Sequence, residues 1–556
     1  MKEENYAFLE KCSKEYLAQL ERCNDPGETV EKVFLDIMDQ LENTVFYHDH
    51  KLEGVNTLGE FKRRIPIRSY NDFDCYIDLI LRGAQNVLSK STCFAFYKTS
   101  GTSGKSKYIP STYHWRQEYR GPALYAQWGL YFKLIKAKSL AAEHVLDISW
   151  ARKKGEPKAG IPIYSITSRP STLDGNDWNP PWHDSNWFFS DKDVGHTEAL
   201  VKMLVETAIN DVRVIVSVNP SKIVSLYETL NSNLSEVTHG LRVRQANESD
   251  SQVLSKIDLL LERISDRASV TLTDLWPNLD LLVCWRSASA GKYIQWLNHA
   301  APNVPVVPFS TVGTEGIVSI PVDSSASGGA LSIDQGLYEF VDIDSLGDSA
   351  ASLSPDHPTL DYSQLEVGKR YRLVMSQANG IYRYDTQDVY KVVGWVGKTP
   401  RIDFVGRSNV GSSFTGEKLS EDNIYQAVRK TLNGLCEKLP LFSCIPVWAN
   451  PPHYVITVEA GDEALVENHA AIERRLQEQL CAVNEEYADK CSSHRLEPLK
   501  LVLLQPGAFN VINKINVNNG ISSAQVKHLW IQPNDRLLKL FESHGLSMTD
   551  TAEDAE

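Results

Sequence analysis

Apolar positions recur at helical spacing through the first 45 residues: Tyr6, Leu9, Tyr16, Leu17 and Leu20, then Val33, Ile37 and Leu41. The spacing predicts two amphipathic helices turned toward a core. The charged stretch Phe61–Arg68 that follows reads as a solvated turn before a short strand. So does His48-Asp49-His50 read as a surface turn. The aromatic run Phe94–Tyr97 predicts a buried strand. Residues 113–138 carry a helical pattern with a kink at Gly121-Pro122, where the proline withholds a backbone donor. Beyond it, short β-branched runs alternate with helical patterns. Val145–Ile148, Val212–Val218, Leu281–Trp285 and Val304–Phe309 read as strands, and residues 196–230 and 251–266 supply helices. Such alternation predicts an α/β layer. The last third changes character. A helix begins near Ser420, a good N-cap with Glu421-Asp422 behind it. Strands at Tyr454–Glu459 and Leu499–Leu504 flank a helix that shows Ile472, Leu476, Leu480, Val483 and Tyr487 on one face. This is the pattern of a small α+β domain.

Length sharpens that division. At 556 residues the chain exceeds what one core can organise. The reading is a large domain over 1–407, a small one over 408–546, and a disordered acidic tail from 547 to 556, with the junction at residues 405–412. Apolar and charged fractions of 42% and 23% are those of a globular protein. The net charge of −14 argues against a nucleic-acid partner, which needs a basic surface. Nine cysteines without a C-x-x-C pair read as reduced thiols of a cytoplasmic protein. The opening Met-Lys-Glu-Glu-Asn has no apolar signal region, and no run approaches the ~18 residues of a membrane span. Clustered aromatics at Trp178, Trp182, Trp187, Phe188 and Phe189 suit either an apolar pocket or plain core packing.

Four stretches carry candidate chemistry. After the Phe94–Tyr97 strand the chain breaks into Thr99-Ser100-Gly101-Thr102-Ser103-Gly104-Lys105-Ser106-Lys107. Hydroxyls, glycine-freed N–H groups and ammonium charge together suit a phosphate chain. It is not a P-loop, since Gly101 and Gly104 stand only two residues apart where that motif needs four. A solvated turn has the same composition. The second stretch, Phe309–Ile317, could set a hydroxyl on phosphate and the Glu315 carboxylate near Mg²⁺, a hard cation that takes oxygen ligands. The third, Gly380–Val389, ends in Asp388, whose carboxylate could accept both ribose hydroxyls; a turn aspartate is the plain alternative. The fourth is Arg401–Val410.

In this order the stretches resemble the GH3 acyl acid-amido synthetases, a branch of the adenylate-forming superfamily. The likeness runs from about Asn56 to Lys527. Leu275-Trp276-Pro277-Asn278 resembles the family's Trp-Pro-Asn, and Thr314-Glu315-Gly316 its Ser-Glu-Gly. Gly380-Ile381-Tyr382-Arg383-Tyr384 with Asp388 is similar to its Gly-Leu-Tyr-Arg-Tyr…Asp, and Phe404-Val405-Gly406-Arg407 to its hinge. His453-Tyr454-Val455, Pro506-Gly507-Ala508-Phe509 and Gln525-Val526-Lys527 look like its small-domain motifs. Three departures stand out. Thr311 occupies the place of an aromatic, Gln387 the place of a glycine, and Arg286–Tyr293 matches the plant Thr-Gly-Ser-Met segment only loosely.

The resemblance implies an α/β adenylate-forming (acyl-adenylate, firefly-luciferase-like) fold, with a large N-terminal domain and a small mobile C-terminal α+β domain. It implies ATP and Mg²⁺, and two half-reactions. A small carboxylic acid attacks the α-phosphate to give an acyl-adenylate and pyrophosphate; an amino acid or other amine then takes the acyl group and releases AMP. Thr99, Ser100, Gly101, Thr102 and Lys107 would hold phosphates. Thr311, Gly313 and Thr314 would line the nucleotide, with Glu315 acting through the metal. Asp388 would bind ribose beside Arg407. Lys527, with Lys418 as second candidate, would be the small-domain lysine at the acyl phosphate. An acyl-CoA ligase shares the adenylation half, and a binding protein on the same fold is the non-enzymatic alternative. The acid, the amine and the oligomeric state leave no contiguous motif.

Overall fold

A computed structural model describes residues 3–98, 107–136, 140, 144–148, 160–164, 178, 180, 196–325, 328–346, 353–407, 417, 419–449, 451–461, 463–492, 496–518 and 528–549. The chain divides into two compact units: Met1–Ser345 with Leu353–Val405, and Leu346–Ser352 with Gly406–Glu556.

The first unit opens with helices Glu3–Arg22 and Pro26–Leu41. Leu9, Tyr16, Ile37 and Leu41 are buried as their spacing demands, whereas Leu17 is 52% exposed. The charged stretch after residue 57 is not a turn. Leu58–Arg64 is a helix, capped by the Thr57 hydroxyl accepting from Glu60 N–H, with Phe61 buried. Its three basic residues lie in the last turn, where the helix dipole favours them. Nor is His48–His50 a free turn: Val45–Asp49 is a short helix, and the His50 ring stacks on Phe46 at 3.9 Å.

The strands then fall into three sheets. β1 (Cys93–Lys98) pairs antiparallel with β2 (Tyr108–Thr112). β3 (Val145–Asp147) starts a second sheet, and β4 (Ile163–Tyr164) returns parallel to β1. β5 (Val214–Ser217), β6 (Leu281–Cys284) and β7 (Val306–Pro308) extend the second sheet in parallel, in the order β3-β5-β6-β7. Its strands are apolar without alternation because both faces are covered: Ile215 and Leu282 enter one core, Val214 and Val283 another. The third sheet collects β8 (Thr311–Val312), β9 (Ile317–Ile320), β10 (Gly329–Leu331), β11 (Leu337–Asp342), β12 (Arg370–Gln377), β13 (Ile381–Val396) and β14 (Thr399–Arg407). Its order is β11-β12-β13-β14-β10-β9-β8.

The kink at Gly121-Pro122 is a wide turn, Trp115–Arg120, followed by separate helices Gly121–Ala126 and Trp128–Leu134. A Cβ on Gly121 would lie 2.7 Å from the Trp178 ring and 2.8 Å from the Arg116 carbonyl. Trp178 is therefore a packing residue; Trp182, Trp187, Phe188 and Phe189 lie outside the described residues.

The second unit centres on β15 (Phe442–Val447), β16 (His453–Glu459) and β17 (Lys500–Leu504). Alternation serves two cores. Tyr454, Ile456 and Val458 face helices Glu421–Leu432 and His469–Val483, while Val455 and Val502 face Phe509 and Phe541. The long predicted helix breaks at Asn484, and Tyr487 is buried from a second helix, Glu485–Ser492. Part of the expected tail is ordered: Met548 N–H donates to the Leu503 carbonyl at 2.7 Å, and Thr549 Oγ1 accepts from Leu503 N–H at 3.0 Å. Residues 550–556 lie outside the described residues. Among the described residues no helix is long and apolar enough to cross a membrane.

Candidate active site

The β8–β9 turn carries Gly313, Thr314 and Glu315, all partly exposed. Gly313 N–H closes the turn on the Gly316 carbonyl at 2.9 Å. The carboxylate of Glu315 folds back over Gly313, where a Cβ would sit 2.9 Å from Oε2. Asn379 Nδ2, at the β12–β13 turn, donates to the Glu315 carbonyl at 3.3 Å. Gly316 has its own reason to be glycine. A Cβ there would lie 2.7 Å from Cδ of Gln377. Gly336 presses the same carboxamide from elsewhere, and Gln377 Oε1 accepts from Trp115 Nε1 at 3.1 Å.

Three groups to which the sequence assigns no role lie about this turn and Lys107: Arg120, Tyr70 and Tyr384. Arg120 is 3% exposed; its guanidinium lies over the Trp115 ring at 5.2 Å and donates to the Gly313 carbonyl at 3.3 Å. Burial lowers its pKa to about 10, opposed by neighbours including Glu315, so it remains a cation at neutral pH. Tyr70 and Tyr384 flank Lys107, whose Nζ lies 5.6 and 5.5 Å from their ring centres and donates to Tyr384 Oη at 2.9 Å. Tyr70 in turn donates to the Tyr108 carbonyl at 2.9 Å. Burial drives the Tyr70 pKa upward, and the Glu315 charge adds to that shift. Lys107 and Glu315, far apart in sequence, thus share one neighbourhood through Tyr70. Tyr384 lies inside a motif the sequence reading had marked; Arg120 and Tyr70 stand in no contiguous pattern.

Asp388 is not on a turn. It sits in β13 at a bulge. Arg372 faces Val389 and Val374 faces Asp385, so Thr386, Gln387 and Asp388 stand opposite a single residue of β12. Arg372, fully buried, grips the Asp385 carboxylate through Nε at 2.8 Å and through Nη2. Asp385 Oδ1 accepts from Gln387 N–H at 3.0 Å. Thr386 Oγ1 donates to the Leu373 carbonyl at 2.8 Å and accepts from Asp388 N–H at 3.1 Å. Gln387 takes φ +62°, the left-handed region that favours glycine. The departure from the family's glycine therefore falls where the backbone conformation calls for one, and the hydrogen bonds around it hold it. Bulges beside active sites re-aim side chains, and here the bulge leaves Asp388 partly exposed.

Thr311 lies at the base of the Glu315 turn in a shallow concavity with Arg286, Ser287 and Phe309. Ser287 Oγ donates to Asp403 Oδ1 at 2.6 Å. Arg407 lies in β14, its side chain undescribed. Thr99, Ser100, Gly101, Thr102, Lys418 and Lys527 lie outside the described residues.

Residues 17–306 match the GH3 family N-terminal domain, 329–407 the GH3 family central domain, and 422–536 the GH3 family C-terminal domain. The chain belongs to the GH3 family. Within it, the indole-3-acetic acid-amido synthetase GH3.4 of Arabidopsis thaliana is 23% identical, over 94% of this chain and 92% of its own length. The 4-substituted benzoates-glutamate ligase GH3.12 of the same plant is 23% identical, over 93% and 98%. A solved acyl acid amido synthetase, AtGH3.15 in complex with 2,4-DB, superposes with a TM-score of 0.77 at 19% identity, covering 97% of this chain and 96% of its own. The two-unit α/β fold expected of a GH3 adenylate-forming enzyme is therefore the fold of this chain.

Proposed function

We propose that this GH3 protein is an ATP-dependent amide synthetase, a C–N ligase that adenylates a small carboxylic acid and transfers the acyl group to an amino acid or other amine. The observation that carries the reading is the meeting of Lys107, Glu315, Tyr70 and Tyr384 at the end of the Ser/Thr-Gly loop. Lys107 is an ammonium held on a phenol and two ring faces, a fixed cation suited to phosphate. Arg120 adds a buried positive charge under the Gly313–Glu315 turn. Among the described residues the donor set fits a nucleotide: the Thr314 hydroxyl and turn N–H groups for phosphate oxygens, the Lys107 and Arg120 cations, and the Glu315 carboxylate for a hard metal.

In the first half-reaction Thr99, Ser100, Gly101, Thr102 and Lys107 are assigned to the phosphate chain. Thr314 contacts the α-phosphate and Gly313 allows its approach. Glu315 would hold Mg²⁺, which would supply charge neutralisation on the phosphoryl oxygens; ions of this kind are typically held by one or two carboxylates plus phosphates. Asp388, left partly exposed by the bulge, accepts from the ribose hydroxyls beside Arg407. Phe309, next to Thr311 in the concavity, offers the aromatic face missing at Thr311 itself. The negative charge that spreads in the transition state meets donors already in place. In the second half-reaction an amine attacks the acyl carbonyl and AMP leaves. Lys527, with Lys418 as alternative, is the small-domain cation assigned to the acyl phosphate. The net charge of −14 disfavours a nucleic-acid role, and a cytoplasmic setting suits the reaction.

The test is product analysis by mass spectrometry. The protein, ATP and Mg²⁺ are incubated with a panel of carboxylic acids, with and without mixed amino acids, and with and without coenzyme A. An amide that needs ATP and ignores coenzyme A supports the proposal. A thioester formed only with coenzyme A overturns it in favour of an acyl-CoA ligase.

A further inference from the structure

The wide turn Trp115–Arg120 is wound unlike the helices beside it. Gly121 N–H donates to the Arg116 carbonyl, five residues back, where an α-helix bonds four back. Positions five apart on an α-helix diverge by about 140° around the axis. Here two such pairs meet. The Arg120 guanidinium lies over the Trp115 ring at 5.2 Å, and the His114 and Tyr119 rings meet edge to face at 5.8 Å. The first pair serves the candidate site: Trp115 Nε1 donates to Gln377 Oε1 at 3.1 Å, and Arg120 donates to the Gly313 carbonyl at 3.3 Å. The second pair closes on one carboxylate. His114 Nε2 donates to Asp36 Oδ2 at 2.8 Å, and the Tyr119 hydroxyl donates to the same oxygen.

Asp36 belongs to helix Pro26–Leu41, and that helix is itself well anchored. Phe34 and Ile37, on either side of Asp36 in sequence, are buried in the core of the first unit. Lys90 N–H donates to the Gln40 carbonyl at 2.8 Å, and Ser89 Oγ donates to Gln40 Oε1 at 3.3 Å. Ser91 Oγ then accepts from His114 N–H at 3.1 Å, and Thr112 Oγ1 accepts from Trp115 N–H at 3.2 Å. The start of the turn is therefore held by backbone bonds, and Asp36 ties its two ends together. Burial opposes the Asp36 charge, yet the bonds from His114 and Tyr119 hold its carboxyl below the ordinary range. Burial and the Asp36 charge push the Tyr119 hydroxyl well above its usual range, so it stays a donor. Bonds to an ionised oxygen are stronger than neutral ones.

We infer that Asp36 is a positioning residue for the adenylation half-reaction: by taking His114 and Tyr119 on one oxygen it locks the wide turn, and the locked turn sets Arg120 against the Gly313–Glu315 turn. The chemistry rests on the amide-synthetase reading; the geometry rests on the bonds just given. Turns of this winding are rare and concentrate at functional sites. Rewound to α-helical spacing, this one would part Trp115 from Arg120 and withdraw the cation from the Gly313 carbonyl. Asp36 acts through the turn and not on the substrate.

The test uses the full chain with fluorinated tryptophan in place of tryptophan, the Trp115 fluorine resonance being assigned by Trp115→Phe. Asp36→Ala should shift that resonance. Asp36→Asn, whose amide oxygen can accept from both donors, should bring it back toward its wild-type position. In unlabelled protein, acid-dependent exchange of pyrophosphate into ATP should fall about tenfold in Asp36→Ala, the worth of one hydrogen bond to a charged group, and largely recover in Asp36→Asn. Arg120→Met should also lower exchange, and adding Asp36→Ala to it should lower exchange no further, since the two act through one contact. A Trp115 resonance unmoved by Asp36→Ala, or losses that multiply in the double variant, would overturn the inference. Where Asp36→Ala does not fold, Tyr119→Phe takes its place: it removes one of the two bonds, should move the Trp115 resonance, and overturns the inference if it does not. A wild type that exchanges with no acid defeats the amide-synthetase reading, and the fluorine resonances then decide the positioning role by themselves.

Discussion

Replacing Gly316 by alanine tests whether the Thr-Glu-Gly turn is glycine-terminated because of what lies against it. The new methyl would stand 2.7 Å from Cδ of Gln377 and 2.9 Å from both of its terminal atoms. The carboxamide would have to retreat by about 0.7 Å to reach ordinary contact. It has nowhere to go, since Gly336 has room for no Cβ against Gln377 Nε2, with only 2.3 Å between them. Moving it breaks the Trp115–Gln377 hydrogen bond, whose two ends are buried. Overpacking costs about 1–3 kcal/mol. A buried donor left unsatisfied costs about 1–3 kcal/mol more. The expected loss is thus about 2–6 kcal/mol, from the sum of the same two effects, read as a lower urea midpoint of the first unit. Gln377→Ala alone should also destabilise, but it makes the space that alanine at 316 needs. The double variant should therefore fall short of the summed single costs, the non-additivity of residues in contact. An unshifted midpoint for Gly316→Ala, or strictly additive costs in the double variant, would refute the reasoning.

Three further outcomes follow from the geometry. Lys107→Met removes a charge-assisted contact worth about 1.5–3 kcal/mol, so kcat/KM for ATP should fall roughly 10- to 100-fold, measured by pyrophosphate release, with the urea midpoint nearly unchanged. Asp388→Ala should weaken nucleotide binding about tenfold, a bond-sized loss, by calorimetry, without changing the KM for the acid. His528 is partly buried with its Nε2 on the Phe442 carbonyl at 2.7 Å, and desolvation lowers its pKa to about 4. The unfolded chain takes up that proton near pH 6.5 and the folded one only near 4, so stability falls as the pH drops through this window. The full effect is about 3 kcal/mol; urea midpoints between pH 7 and 4 should show the decline, and His528→Gln should flatten it.

What could be read in the sequence tracked how local the signal was. The parallel strands β5, β6 and β7 announced themselves because each is an unbroken apolar run covered on both faces. The Ser420 cap marked its helix because capping is settled within four residues. The charges of Phe61–Arg68 suggest solvent, yet its first part, Phe61–Arg64, is helical, since one buried phenylalanine and a Thr57 cap suffice for the helix Leu58–Arg64. The break at Asn484 was invisible for the opposite reason: the apolar spacing continues through it, and only the asparagine's bonds to Glu417 and Tyr487 show why the helix stops. At the site, Glu315, Lys107 and Asp388 stood out by motif. Arg120 and Tyr70 did not, since they reach the turn through tertiary packing that no spacing encodes. Gln387 looked like a lapse from the family pattern; its backbone shows a glycine-like conformation kept by the bonds of Asp385 and Thr386.

The central claim is that acid activation precedes amide formation on one protein. The direct measurement is exchange of labelled pyrophosphate into ATP, run across the acid panel with no amine and no coenzyme A present. The expected result is exchange that depends on one class of acid, is lost in Lys107→Met, and is followed by AMP and amide in equal amounts once an amine is added. An amide made from ATP and that acid without acid-dependent exchange, or with ADP as the nucleotide product, would contradict it.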